Sequence, residues 1–190
     1  MAMNNKQPKP STGPLVPPRL PFGNGAVSLA TFEQLTLQST LAELPTYDFA
    51  VSLQTEGEQV AQVFQQRPYL PGVIITEEEK VKAFISRRAF LEQIGRLYGV
   101  EIYLNRPIAT MAETTGADFL ALPADTTISQ AVDVALSRSP DKYYEPLLVV
   151  GADGRAAILD SYTLLLAQSR LLQLANEIEQ ERRQLSESLQ

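Results

Sequence analysis

Apolar and polar positions along this chain form a pattern that is stated twice. The first statement is Leu70-Pro71-Gly72-Val73-Ile74-Ile75-Thr76, a polar run, then Val81-Lys82-Ala83-Phe84-Ile85-Ser86-Arg87-Arg88-Ala89-Phe90. The second is Glu145-Pro146-Leu147-Leu148-Val149-Val150, the turn Gly151-Ala152-Asp153-Gly154-Arg155, then Ala156-Ala157-Ile158-Leu159-Asp160-Ser161-Tyr162-Thr163-Leu164. Each copy reads as a Pro, a buried strand, a turn, a returning strand, and a small polar residue opening a helix. Each also follows an amphipathic helical stretch. Two copies predict a pseudo-symmetric pair with a cleft between them. That arrangement serves regulation or ligand sensing more often than catalysis.

The finer pattern gives the elements. Residues 28–45 predict a leading helix, with Thr31 and Gln34 at capping-box spacing and Phe32, Leu35, Leu41 and Leu44 near one face; Pro45 ends it. The first repeat spans 46–98. Phe49, Val51 and Leu53 alternate as a strand, Thr55 and Glu58 are spaced to cap a helix, and Val60, Ala61, Val63 and Phe64 form its buried face. Val73–Ile75 and Val81–Ile85 are strands about a turn at Glu77–Lys80, and Arg88–Tyr98 is the next helix. Residues 99–118 read as a connector with some strand content at Val100, Ile102 and Leu104. In the second repeat, 119–163, Asp125 or Thr126 is placed to cap a helix carrying Ile128, Ala131, Val132, Ala135 and Leu136. Asp153-Gly154 is a strong hairpin turn between the last two strands. The fold class is therefore α/β (α+β), two strand-helix-strand-strand-helix repeats followed by a long C-terminal helix.

Residues 164–190 contain neither Pro nor Gly. Leu164, Leu171, Ile178 and Leu185 recur every seven residues, and Ala167 and Leu174 fill the companion positions before Glu181 and Ser188 take them over. From Tyr162 on, the helix would be roughly 40 Å long. Its first turns are expected to pack on the domain and the rest to project as a coiled coil in a homodimer, with Leu164, Leu171, Leu174, Ile178 and Leu185 as the seam.

Composition narrows the chemistry. The 190 residues include no Cys and no His, which removes disulfides, thiolate nucleophiles, the commonest general base and the commonest metal ligand. Asp125, Asp153 and Asp160 lie scattered at caps and turns, so the expectation is no enzyme and no metal site. A net charge of −6 argues against a nucleic-acid surface. No apolar run is long enough to span a membrane and no signal peptide is evident, so the expected location is cytoplasmic. Residues 1–27 are rich in Pro and Gly and read as a disordered arm, with a docking peptide as the alternative.

The repeat resembles a tandem CBS-domain pair, the Bateman-type module. Leu70-Pro71-Gly72-Val73-Ile74 and Glu145-Pro146-Leu147-Leu148-Val149 resemble the family's apolar-Pro-Val-Val element. The segments ending in Ser86-Arg87-Arg88-Ala89 and Asp160-Ser161-Tyr162-Thr163 resemble its Gly-Ile-Val-Thr-x-x-Asp element. The resemblance covers about residues 46–170. It implies adenine-nucleotide binding in the cleft, with a hydroxyl on phosphate or ribose at the position held here by Ser86, which keeps it, and by Asp160, which would repel a phosphate, and with a ribose carboxylate at the position of Ala89 and Thr163. Neither copy keeps that carboxylate, so the expectation is no resident cofactor, with an adenine nucleotide as the alternative. The remaining ligand candidates are Ser86, Arg87, Arg88, Asp160 and Thr163. The arginines at a helix start suit an anion; the plainer alternative leaves them in solvent or paired with Glu77-Glu78-Glu79.

The arrangement is also similar to the input region of bacterial histidine kinases and diguanylate cyclases, through Leu165-Leu166-Ala167-Gln168-Ser169-Arg170-Leu171-Leu172. That resemblance implies a bacterial, non-catalytic sensory and dimerisation module, either a truncated input module or a free-standing adaptor. It would pass a ligand- or partner-induced change through the C-terminal helix to an output domain or partner. The alternatives are an adenine-nucleotide energy sensor and an interaction scaffold using the Pro-rich arm and coiled coil.

Overall fold

The computed structural model describes residues 32–189. The Pro-rich arm and the first residues of the expected leading helix lie outside them. The first repeat consists of β1 (Ala50–Ser52), α1 (Gly57–Gln66), β2 (Gly72–Glu77), β3 (Lys80–Ser86) and α2 (Arg87–Ile94). The connector holds α3 (Gly99–Tyr103) and α4 (Ala109–Thr115). The second repeat consists of β4 (Ala121–Pro123), α5 (Ile128–Leu136), β5 (Leu147–Val150), β6 (Ala156–Leu159) and the long α6 (Ser161–Ser188). Each repeat forms a three-stranded sheet in which the first strand pairs parallel to the second and the second antiparallel to the third. A parallel pair needs a crossover, and α1 and α5 supply it.

The register refines the match between the copies. Gly72 pairs with Ser86 and Leu147 with Leu159, so Ser86 is equivalent to Asp160 but Pro146 is equivalent to Gly72. Pro71 therefore corresponds to Glu145. Gly72 has room only for hydrogen, because a Cβ there would press into the Phe84 ring.

Each sheet is extended by the lead-in to the other repeat. Tyr47, just before β1, exchanges two backbone hydrogen bonds with Ile158 of β6, both 2.8 Å. Gly116, just before β4, accepts a 3.0 Å bond from Phe84 N–H of β3. The packing is interleaved as well. Leu148 and Ile158 of the second sheet join Tyr47, Phe49, Phe64 and Phe90 in one core, while Leu147, Val149 and Leu159 point the other way, toward α5 and α6. This is the period-two alternation of a sheet buried on both faces.

Several elements differ from the sequence expectation. Between residues 32 and 45 there is no α-helix, and a 3-10 turn forms at Leu41–Glu43. Its polar residues bond locally: Thr36 N–H donates to Ser39 Oγ, Ser39 Oγ–H to Glu43 Oε1, and Thr40 N–H to Glu43 Oε2. Such bonds compete with a helix. Leu41 and Ala42 N–H donate to the carbonyls of Thr126 and Ala124, laying the segment across the start of α5. Phe32, Leu35, Leu41 and Leu44 are nonetheless buried together.

The connector contains two short helices where alternating apolar residues suggested strand. Thr55 does not cap α1; Gly57 and Glu58 N–H instead donate to the carbonyls of Arg106 and Leu104 in the connector. The cap of α5 is Thr127, in a reciprocal box with Gln130, rather than Asp125 or Thr126. The stretch from Ser137 to Tyr144, between α5 and β5, holds a 3-10 turn at Pro140–Lys142.

Helix α6 is continuous over 28 residues. Asp160 caps it, its Oδ1 accepting from Tyr162 N–H at 3.3 Å. Thr163, Leu164, Ala167 and Leu171 are buried. Leu164 and Leu171 thus belong to the core of the domain and are not free seam positions, whereas Ile178 and Leu185 are exposed. No helix among the described residues is long and apolar enough to cross a membrane.

Candidate functional site

The site is an open cleft where the end of β3 and the start of α2 meet the second repeat. Phe84, Ser86 and Ala89 come from the first repeat, and Arg138, Lys142, Glu145 and Pro146 from the second. Thr115, Asp118 and Phe119 close it from the connector side. It holds about 350 Å³, counting the solvent at its mouth.

Two ion pairs span it. Arg88 Nη2 lies 2.6 Å from Glu145 Oε1 and Arg88 Nε donates to the same oxygen at 2.8 Å. This joins the first repeat to the second. The Glu145 side chain is only 11% exposed, although Arg88 remains 61% exposed. The bond to Glu145 raises the Arg88 pKa further above its already high ordinary value. Lys142 Nζ sits 3.4 Å from Asp118 Oδ2. Arg138 has no carboxylate within ion-pair distance among the described residues. The cleft therefore presents three cations, two of them already held by carboxylates.

The candidate residues from the sequence separate into distinct roles. Ser86 is buried in the cleft floor, but its Oγ accepts from Ala89 N–H at 3.1 Å and caps α2. Arg87 does not line the cleft. Its Nη1 donates to Phe64 O at 2.9 Å at the end of α1, with the guanidinium 5.2 Å from the Phe64 ring centroid. It closes the C-terminal turn of a helix, where a cation complements unpaired carbonyls. Arg88 does line the cleft, bound to Glu145 and not to the Glu77-Glu78-Glu79 turn. Arg138, Lys142 and Asp118 were missed in the sequence, because nothing in their spacing marks three loop residues as neighbours.

Asp160 and Thr163 occupy the equivalent positions in the other half. Burial raises the Asp160 carboxyl pKa, against the opposing effect of N–H donors at Tyr162 and Ser161. Thr163 is buried. Here Tyr47 is stacked on Tyr69 with ring centroids 6.2 Å apart. The Tyr47 hydroxyl pKa is raised by burial first and by Asp160 second, which places a carboxylate where a phosphate would be repelled. The two halves of the pair are thus chemically unlike. Among the described residues no group of three or more acidic side chains is gathered as a metal site.

Two sheets with exchanged lead-ins, a cleft between them and a helix leaving each third strand give the chain the fold of a tandem CBS-domain pair. No family profile and no curated protein sequence matches it. Solved structures do. A putative acetoin utilization protein (AcuB) from Vibrio cholerae superposes with a TM-score of 0.54 at 13% identity, over 74% of this chain and 98% of that one. A CBS domain-containing protein of unknown function from Bacillus anthracis gives 0.51 at 15% identity, over 79% of this chain and 99% of that one. The cytosolic domain of the Mg2+ channel MgtE, in complex with ATP, gives 0.50 at 16% identity. The match covers 72% of this chain but only half of the MgtE one. The similarity to kinase and cyclase input regions rests on the sequence alone.

Proposed function

We propose that this chain is a non-catalytic regulatory module in which an anionic ligand enters the open cleft and alters the relation between the repeats. The observation that carries this reading is the bridge from Arg88 to Glu145. A ligand anion competes with Glu145 for Arg88 and with Asp118 for Lys142, and Arg138 supplies a cation that needs no displacement. Exchange of Glu145 for a ligand loosens one repeat from the other. The change then reaches β6, Asp160 and α6, which follow one another without a break in the chain. An output domain or partner protein beyond α6 is the natural receiver of such a change.

An adenine nucleotide is the second reading, supported by the ATP complex of the MgtE domain, whose fold is similar. Against it stand Ala89 and Thr163, which offer no carboxylate to ribose hydroxyls, and Ser86, whose hydroxyl already caps a helix.

Isothermal calorimetry with inorganic phosphate, AMP, ATP and cyclic dinucleotides separates these readings. The expected result is binding of a phosphate-bearing ligand that Arg138→Ala weakens by about tenfold or more, the worth of one charged hydrogen bond. Glu145→Gln is expected to tighten the same ligand by removing its competitor. Heat from AMP or ATP alone favours the nucleotide sensor. No heat from any of them overturns the ligand reading and leaves a protein partner as the input.

A further inference from the structure

We propose that the distal half of α6 pairs with the same helix of a second copy, parallel and in register, and that Glu177 of each protomer bonds Arg182 of the partner subunit. The inference rests on the reading of α6 as the outgoing element and names what that element meets.

The helix leaves the body after Leu171. Beyond it Leu174 and Ala175 are half-buried, while Ile178 is 48% and Leu185 65% exposed. From Leu172 to Ser188 the free stretch is about 25 Å long. Its apolar side chains keep the heptad. In the frame continued from the buried Leu171, Ile178 and Leu185 fall at the first core position, and Leu174, Glu181 and Ser188 at the second. Ile178 at the first position beside Leu174 at the second is the one combination here that favours two parallel strands, since Leu185, Glu181 and Ser188 do not add to it.

The flanking charges select the orientation. In this frame Glu177 precedes the core position at Ile178, and Arg182 follows the core position at Glu181. In a parallel pair, the residue before one core position faces the residue five places further along the partner helix. Glu177 therefore meets Arg182 of the partner subunit, twice per dimer. In an antiparallel pair each flanking position faces its own kind, and the two residues do not meet. Each makes one long, solvent-exposed ion pair within its own helix, which a partner would have to outcompete. Glu177 is 57% exposed and 3.4 Å from Arg170. Arg182 is 81% exposed and 3.8 Å from Glu179.

Glu181 weakens the seam, because two carboxylates face each other across it. The association is accordingly modest, which suits an element that must shift rather than lock.

The test is sedimentation equilibrium of the full chain over a concentration series at low ionic strength. Glu177→Arg or Arg182→Glu alone is expected to weaken the dimer by about tenfold, and the two together to restore it to within about threefold. Contacts inside one helix do not recover in the double variant, since Arg170 and Glu179 are unchanged, so restoration reports pairing between helices. Glu181→Leu is expected to tighten the dimer. A monomer at every concentration, single variants without effect, or a double variant no better than the singles overturns the proposal. Calorimetry on Ile178→Lys, which removes the seam but not the cleft, keeps the two readings apart. Ligand heat from an unsubstituted chain that stays monomeric sinks only the pairing, and an unsubstituted dimer without ligand heat sinks only the cleft.

Discussion

Glu78 and Glu79 form the two-residue turn between β2 and β3, and both have left-handed backbone, with φ of 49° and 64°. Hairpins of this geometry prefer Asn-Gly, since a Cβ in the left-handed region costs about 1–2 kcal/mol. The double substitution Glu78→Asn/Glu79→Gly is expected to stabilise the fold by about 1 kcal/mol, read as a rise in the urea midpoint without a change in slope. The other turn, at Asp153-Gly154, already has Gly at φ 79°. Asp160 gives a second residue-scale outcome. Its carboxyl pKa is raised on folding by burial, so the folded state holds that proton to higher pH than the unfolded chain does. The associated stability is complete below the ordinary carboxylate range and is lost as pH rises through the folded value. Asp160→Asn, which still caps a helix, is expected to flatten that part of the stability–pH curve and to be at least as stable at neutral pH. A steeper fall in the variant would show that the charge itself is needed at the cap. Ser86 and Asp160 were legible in the sequence as small polar residues opening helices. The role of Arg87 was not, because the carbonyl it serves lies 23 residues away, in α1.

At the level of elements, burial was easier to read than conformation. Phe32, Leu35, Leu41 and Leu44 were correctly grouped as apolar partners, yet the segment bends around the start of α5 instead of coiling. Its backbone N–H groups find better acceptors at Ala124 and Thr126 than within a helix rich in Thr and Ser. The connector departs from its pattern for a related reason. Val100, Ile102 and Leu104 alternate as a strand would, but α3 is too short for helical periodicity to show. The connector matters because its carbonyls cap α1. A Cβ on Gly57 would collide with the Tyr103 carbonyl there. Gly57→Ala is expected to destabilise by about 2–3 kcal/mol in chemical denaturation, whereas Gly95→Ala, with far more room, should be mild. Equal effects at the two positions would remove the connector from its capping role. The heptad in α6 was legible because seven-residue spacing is a property of the sequence. Where the body stops covering the helix was not, since Leu164 and Leu171 look the same as Leu185 until the core is seen.

On the scale of the molecule, the repeat itself carried the fold. Two copies of strand, turn, strand and helix, each preceded by a helix, leave few other architectures open. What the repeat concealed is how unlike the halves are. The open cleft gathers Arg88, Arg138 and Lys142 from both repeats, while the place equivalent to it under the repeat is taken up by Asp160, Tyr47 and Tyr69. Sequence comparison of the two copies aligned Pro71 with Pro146, and only the strand register moved Glu145 opposite Pro71. That one-residue displacement sets the residue bridging to Arg88.

The exchanged lead-ins have a consequence for how such a chain can be divided. Tyr47 belongs by sequence to the first copy and by hydrogen bonding to the second, and Gly116 near the end of the connector bonds back to β3 of the first. Neither copy is therefore a closed object that could be excised, transplanted or inherited alone. A cut in the connector would leave the edge of the second sheet, at Tyr47, on the first fragment and a carbonyl that β3 uses, at Gly116, on the second. Those fragments would be obliged to find one another, much as two separately encoded chains of a heterodimer do.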